Sequence, residues 1–253
     1  MTSSAFDVLL LGSRIRVVAS SEACAAARDL WRGTLASDDP SSAAPDVDIR
    51  VDEALSLASA LLEIATACNA AALARCRTLT IHAGVVASPG GAIVVPAVSG
   101  AGKSTLVGAC ALAGLTYVSD EALHVSPDGD AVPYPRPLGL SEESTARLAV
   151  QALGYDAGDE RLIAPEDLGS VALHPVPVAH IVAIERRAGA SARLEPLPQA
   201  DAVRLLLTHS FNHYLAPRAA VAAAAQLANG AKTWRLSYTE AADAAALIAA
   251  ALT

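Results

Sequence analysis

The stretch Ala97–Leu106 reads AVSGAGKSTL. Gly102, Lys103 and Ser104 stand there at the spacing G-x-x-x-x-G-K-[ST], with Ala97 in the place of the first glycine. A loop of this pattern is suited to gripping a polyphosphate. Its backbone N–H groups wrap the phosphates, its lysine adds a point charge and its hydroxyl ligates Mg²⁺, all at the positive end of a helix. Alanine serves at the first position if its φ stays negative. Ser99, Gly100, Ala101, Gly102, Lys103, Ser104 and Thr105 are therefore the expected nucleotide-binding stretch, with Ser104 on Mg²⁺ and ATP or another nucleoside triphosphate as the ligand. The next acids along the chain, Asp120 and Glu121, are the candidates to meet the terminal phosphate and the metal.

Such a loop needs a strand before it and a helix after it. TLTIHAGVVA and AIVVP, joined by SPGG, predict a β-hairpin whose second strand runs into the loop. KSTLVGACALAG predicts a short helix ended by Gly114 as a left-handed cap. LTYVSDEALHV then reads as one strand. Strand–helix–strand crossovers are right-handed, so residues 117–119 should run parallel to residues 93–95 and finish at the loop's edge of the sheet. Side chains alternate along a strand, so only one of the two acids points inward unless the strand has ended. Asp120 is the one expected inward.

The remainder of the chain has two textures. Residues 8–11, 15–18 and 47–51 are strand-like and residues 22–31 helix-like, interrupted by the loop ASDDPSSAAPD; residues 55–75 then carry Ala and Leu at helical spacing. This predicts a small α/β lobe with a connecting helix over 1–76 and a nucleotide-binding catalytic domain over 77–253. PYPRPLGL, downstream of the acids, is stiffened by proline and offers Arg136 as a substrate contact. His209, Asn212 and His213 in LLLTHSFNHY read as packing and capping residues, and TWRLSY with the alanine-rich segment after it as a scaffold strand and helix.

Composition narrows the class of partner. A chain of 253 residues can bury the core of one sizeable α/β domain with an appendage. Its net charge of -8, from 18 basic and 26 acidic residues, argues against nucleic acid, whose phosphates are held by clustered Lys and Arg. No apolar run of membrane-spanning length free of charge, Gly or Pro is read, and the N-terminus lacks a leader pattern, so the expectation is a cytoplasmic protein without a membrane partner. Cys24, Cys68, Cys76 and Cys110 form no C-x-x-C pair and are expected as buried, reduced thiols. Homo-oligomerisation stays open.

IHAGVV, SGAGKSTL and GLTYVSDEALHV, in this order and spacing, resemble the catalytic core of the HPr kinase/phosphorylase-like family over residues 79–140. The resemblance implies a P-loop kinase core of the type shared with phosphoenolpyruvate carboxykinases. It also implies a catalytic set of His82, Lys103 and Asp120, with Asp120 as the base and Ser104 on Mg²⁺. The family's glutamate-containing, glycine-rich signature and its P-G-R-N-type segment are missing; SVALHPVPVAHIVAIERR offers His174 and His180 but no matching acid. Glu121 is the substitute metal ligand. The pattern is similar to that of shortened HPr-kinase-related proteins of natural-product peptide pathways. The implied activity is ATP- and Mg²⁺-dependent transfer of a phosphoryl group to a serine of a peptide or small protein. A small-molecule hydroxyl such as free serine, and a non-catalytic, nucleotide-gated peptide-binding partner, are the alternatives.

Overall fold

The structure, a computed structural model, describes residues 2–37 and 44–253. Residues 38–43 of the expected Ser/Pro/Asp-rich loop lie outside the described residues. Along the chain, β1 (Ser3–Leu10), β2 (Ser13–Ser20), α1 (Ser21–Leu30), β3 (Val47–Arg50) and α2 (Leu57–Ala74) come first. Next are β4 (Thr80–Ser88), β5 (Gly91–Pro96), α3 (Lys103–Leu112), β6 (Thr116–Ser119), β7 (Ala122–Val125) and β8 (Ala131–Val132). Then follow β9 (Leu138–Ser141), α4 (Glu142–Leu148), β10 (Tyr155–Ala157) and β11 (Glu160–Ile163). The chain closes with β12 (Val178–Arg186), β13 (Arg193–Pro196), α5 (Gln199–Thr208), α6 (Pro217–Gly230), β14 (Lys232–Tyr238) and α7 (Ala241–Ala251). The class is mixed α/β, with mixed sheets.

Two compact units result, one of residues up to Cys76 plus Pro135–Asp167, the other of Arg77–Tyr134 plus Leu168–Thr253. The reading from sequence left 135–167 with the C-terminal domain. Local patterns of strand and turn carry no mark of which core they join.

In the first unit β2 pairs antiparallel with β1 and parallel with β3, and its alternate residues Ile15, Val17 and Ala19 are buried. A second sheet has the order β10-β11-β9. Ser20, Ser56 and Ser141 cap α1, α2 and α4 by accepting from backbone N–H groups three residues on. Helix α2 has the length and apolarity to cross a membrane, despite Glu63 within it. One face is spent on the unit's interior, where Ala60, Leu61, Ile64, Ala65, Cys68 and Ala72 are buried.

The second unit is built on an eight-stranded sheet of order β13-β14-β12-β5-β4-β7-β8, with β6 also paired to β4. β5, β12 and β14 are parallel; β4 is antiparallel to β5, β6 and β7. Consequently β6 runs in the direction of β5, with β4 between them. Ile81, Ala83, Val85 and Ala87 of β4 face a core completed by Val94, Ile181, Leu206 and Ala224. The opposite face of β4 receives α3. A Cβ on Gly84 would stand 2.5 Å from Val107 Cγ2, so glycine is what lets that helix lie on the strand.

LTYVSDEALHV is not one strand. Ser119, fully buried, accepts at Oγ from the N–H groups of Glu121 (3.2 Å) and Ala122 (3.0 Å). This side-chain turn ends β6 at Ser119 and starts β7 at Ala122, leaving Asp120 and Glu121 in the bend. The four cysteines are buried and unbridged, and burial pushes the Cys68 and Cys110 thiols up to about 12.

Candidate functional site

The β4–β5 hairpin closes through Pro89 and Gly90, with Ser88 opposite Gly91, and β5 ends at Pro96. The loop that follows takes positive φ at Gly100 (78°) and Gly102 (92°), whereas Ala97 is not among the positive-φ residues. The sterically demanding turns thus fall on glycines, and the alanine stands where a Cβ is tolerated. Helix α3 opens directly after Gly102, so its N-terminal end adjoins the loop. Ser99 and Gly100 are exposed and Ala101, Gly102, Ser104 and Thr105 half-buried, while Lys103 is only 5% exposed.

Lys103 is the hub. Its Nζ lies 2.8 Å from His82 Nε2 and donates to the loop's own Val98 carbonyl at 3.2 Å. Burial pushes the Lys103 ammonium down, against the opposing pull of Glu121 and Asp120. A lysine ammonium has donors and no acceptor, so a hydrogen bond between Lys103 and His82 makes His82 Nε2 the acceptor. Nδ1 is buried without a hydrogen-bond partner, and Glu121 Oε1 lies 3.6 Å from it.

On the other side, Ser104 Oγ donates to Asp120 Oδ2 at 3.1 Å, and Tyr117 OH donates to Asp120 Oδ1 at 3.0 Å. Asp120 is 4% exposed and Tyr117 is fully buried. The acid expected to point inward therefore does so, and it meets the loop hydroxyl. Ala83 N–H donates to the Glu121 carbonyl at 3.1 Å, which ties the bend to β4 next to His82.

His82 is held from behind by the segment after α5. The His209 carbonyl accepts from His82 N–H at 2.7 Å, and Phe211 presents its ring edge-on to the imidazole at 5.3 Å between centroids. Asn212 clasps β4 with both amide atoms, accepting from Thr80 N–H at 3.0 Å and donating to the Thr78 carbonyl at 2.8 Å. Burial, and then the charges of His82 and Lys103, push the His209 pKa down. Phe211, Tyr117 and the His209 backbone were not singled out in the sequence as parts of this cluster; the run of polar residues capping α5 was the only signal.

The structure thus gathers His82, Lys103, Ser104, Asp120 and Glu121. Arg136 belongs to the first unit, where its charge acts on Cys68. His180 is on β12 and accepts from Trp234 Nε1 at 3.1 Å, while His174 and His213 are exposed. Among the described residues no three His, Cys, Asp or Glu side chains form a metal-binding group. Mg²⁺ does not require one, since it is held by one or two protein oxygens together with phosphate and water. Ser104 Oγ and Asp120 Oδ2 are hard oxygen donors already side by side, and they fit that demand. No protein-family model matches this chain, and a search of the curated proteins finds no match.

Proposed function

We propose that this chain is a Mg²⁺- and nucleoside-triphosphate-dependent phosphotransferase with a P-loop kinase core of HPr kinase type, acting on a hydroxyl. The observation that carries the reading is the 3.1 Å hydrogen bond between Ser104 and Asp120, one residue beyond a buried lysine at a helix start. Nucleotide loops use that pairing, a loop hydroxyl with a carboxylate from the next strand, to hold Mg²⁺ on a triphosphate. When bound, the metal neutralises charge on the phosphates. Everything else falls to the chain: N–H groups around Gly100 and Gly102 wrap the phosphates, and Lys103 leaves Val98 and His82 to meet them. Positioning and charge are what phosphoryl transfer needs most. A serine of a peptide or small protein is the acceptor favoured by the resemblance of residues 79–140, in the cytoplasm.

Titration calorimetry with a non-hydrolysable ATP analogue tests the reading. Wild type should bind only weakly without Mg²⁺ and tightly with it; Lys103→Ala should lose binding, and Asp120→Asn should lose the Mg²⁺-dependent gain. Incubation of ATP with a panel of serine peptides and free serine should then add the mass of one phosphoryl group to one class of acceptor. A wild-type chain that ignores the nucleotide, or binds it equally well without Lys103, ends the proposal.

A further inference from the structure

We infer that the proton of the attacking hydroxyl is taken by His82, with Glu121 as its counter-charge, and that Asp120 serves the metal instead. The inference rests on the phosphotransferase reading above and departs from the base that the family resemblance implies. Three observations carry it.

First, both oxygens of Asp120 are engaged, Oδ2 by Ser104 and Oδ1 by Tyr117, and the residue is 4% exposed. A carboxylate fixed from two sides in the interior is held for ligation and is poorly placed to receive a mobile acceptor. Second, His82 Nε2 lies 2.8 Å from Lys103 Nζ, and an ammonium there is met by a lone pair on Nε2. When that lysine turns to phosphate, the lone pair is released at the spot the lysine left, beside the phosphoryl group. Third, the ring is aimed. The His209 carbonyl holds its backbone N–H, Phe211 abuts it edge-on, and Glu121 Oε1 lies 3.6 Å from Nδ1. An imidazole whose far nitrogen faces a carboxylate is the arrangement that stabilises an imidazolium once a proton arrives.

The step balances. The acceptor oxygen forms its bond to the terminal phosphorus as the bridging P–O bond breaks and the nucleoside diphosphate departs with that electron pair. The hydroxyl proton moves to His82 Nε2, the ring becomes a cation against Glu121, and the proton then passes to solvent. Glu121 remains a carboxylate throughout and is a positioning residue.

The test separates binding from turnover. His82→Gln keeps an acceptor in the place of Nε2 yet takes no proton, so it should bind the Mg²⁺–ATP analogue as wild type does. Its turnover, with water and with the acceptor found above, should fall by about 10²–10⁴-fold. His82→Ala leaves room for free imidazole, which should restore part of the turnover with a dependence on imidazole basicity that a structural role would not show. Glu121→Gln should lower turnover without weakening binding. Turnover of the Gln variant within about threefold of wild type, or an Ala variant left inert by imidazole, overturns the inference. So does a wild-type chain that binds Mg²⁺–ATP and transfers to neither water nor a hydroxyl. Failure of the wild type to bind nucleotide at all is a different result, and it strikes the phosphotransferase reading itself.

Discussion

Removing His82 should make the loop bind nucleotide more tightly while abolishing transfer. In the structure Lys103 is engaged with its own surroundings, His82 Nε2 at 2.8 Å and the Val98 carbonyl at 3.2 Å, and both contacts must break before its charge reaches a phosphate. A hydrogen bond to a charged group contributes about 1.5–3 kcal/mol net. His82 keeps 20% of its side chain exposed, so the lower end, ~1.5 kcal/mol, applies, and that is about tenfold in a dissociation constant. Losing the ring also removes its edge contact with Phe211, but that loss is common to the free and bound chain and cancels in the binding free energy. Calorimetry with the Mg²⁺–ATP analogue should therefore show His82→Ala binding about tenfold more tightly than wild type. His82→Gln, which retains an acceptor, should stay close to wild type. If His82→Ala binds equally or more weakly, His82 contributes as much to the bound state as to the free one, and the idea of a lysine restrained by its own site is refuted.

Two further outcomes follow from packing and burial. Gly84→Ala sets a Cβ 2.5 Å from Val107 Cγ2, a stiff β-branched side chain, and overpacking of this kind costs about 1–3 kcal/mol. Its Tm should fall and its nucleotide affinity weaken, because Lys103 sits on the same helix face; an unchanged Tm by calorimetry would falsify this account of the glycine. Burial pushes the His124 pKa below 6.5, and burial first pushes His180 and His209 the same way. In the window from 6.5 down to the lowered folded pKa values the unfolded chain binds more protons, so unfolding free energy should decrease as pH falls through it and level off below. Urea unfolding on either side of 6.5 should show that loss, and His124→Gln should reduce it.

The hairpin, the loop and α3 were legible because their signals are local. Pro89 and Gly90 make a turn, Gly100 and Gly102 supply positive φ, and Gly114 (95°) closes the helix. Each depends on the residue itself and its nearest neighbours. The support of His82 was not legible, since Asn212 grips β4 across more than a hundred residues and nothing in THSFNHY tells a helix cap from a clasp on a distant strand. The return of Pro135–Asp167 to the first unit was hidden for the same reason. A hydrophobic pattern says that β9 and β11 bury one side, and is silent about the core they bury it in.

The bend at Asp120 and Glu121 is the feature on which the division of labour turns, and it was invisible to a count of apolar and polar residues. TYVSDEALHV has the composition of a continuous strand, in which adjacent acids would point to opposite faces of the sheet. The Ser119 hydroxyl breaks that rule by taking two backbone N–H groups for itself. With the ladder interrupted there, Asp120 folds back onto Tyr117 and Ser104, while Glu121 comes to the His82 side of Lys103. Two neighbouring carboxylates thereby come into surroundings different enough to carry different work: one buried and hydrogen-bonded by Ser104 and Tyr117, the other half-buried beside an imidazole. The chemistry of the proposed transfer depends on that separation, and a buried serine side chain produces it.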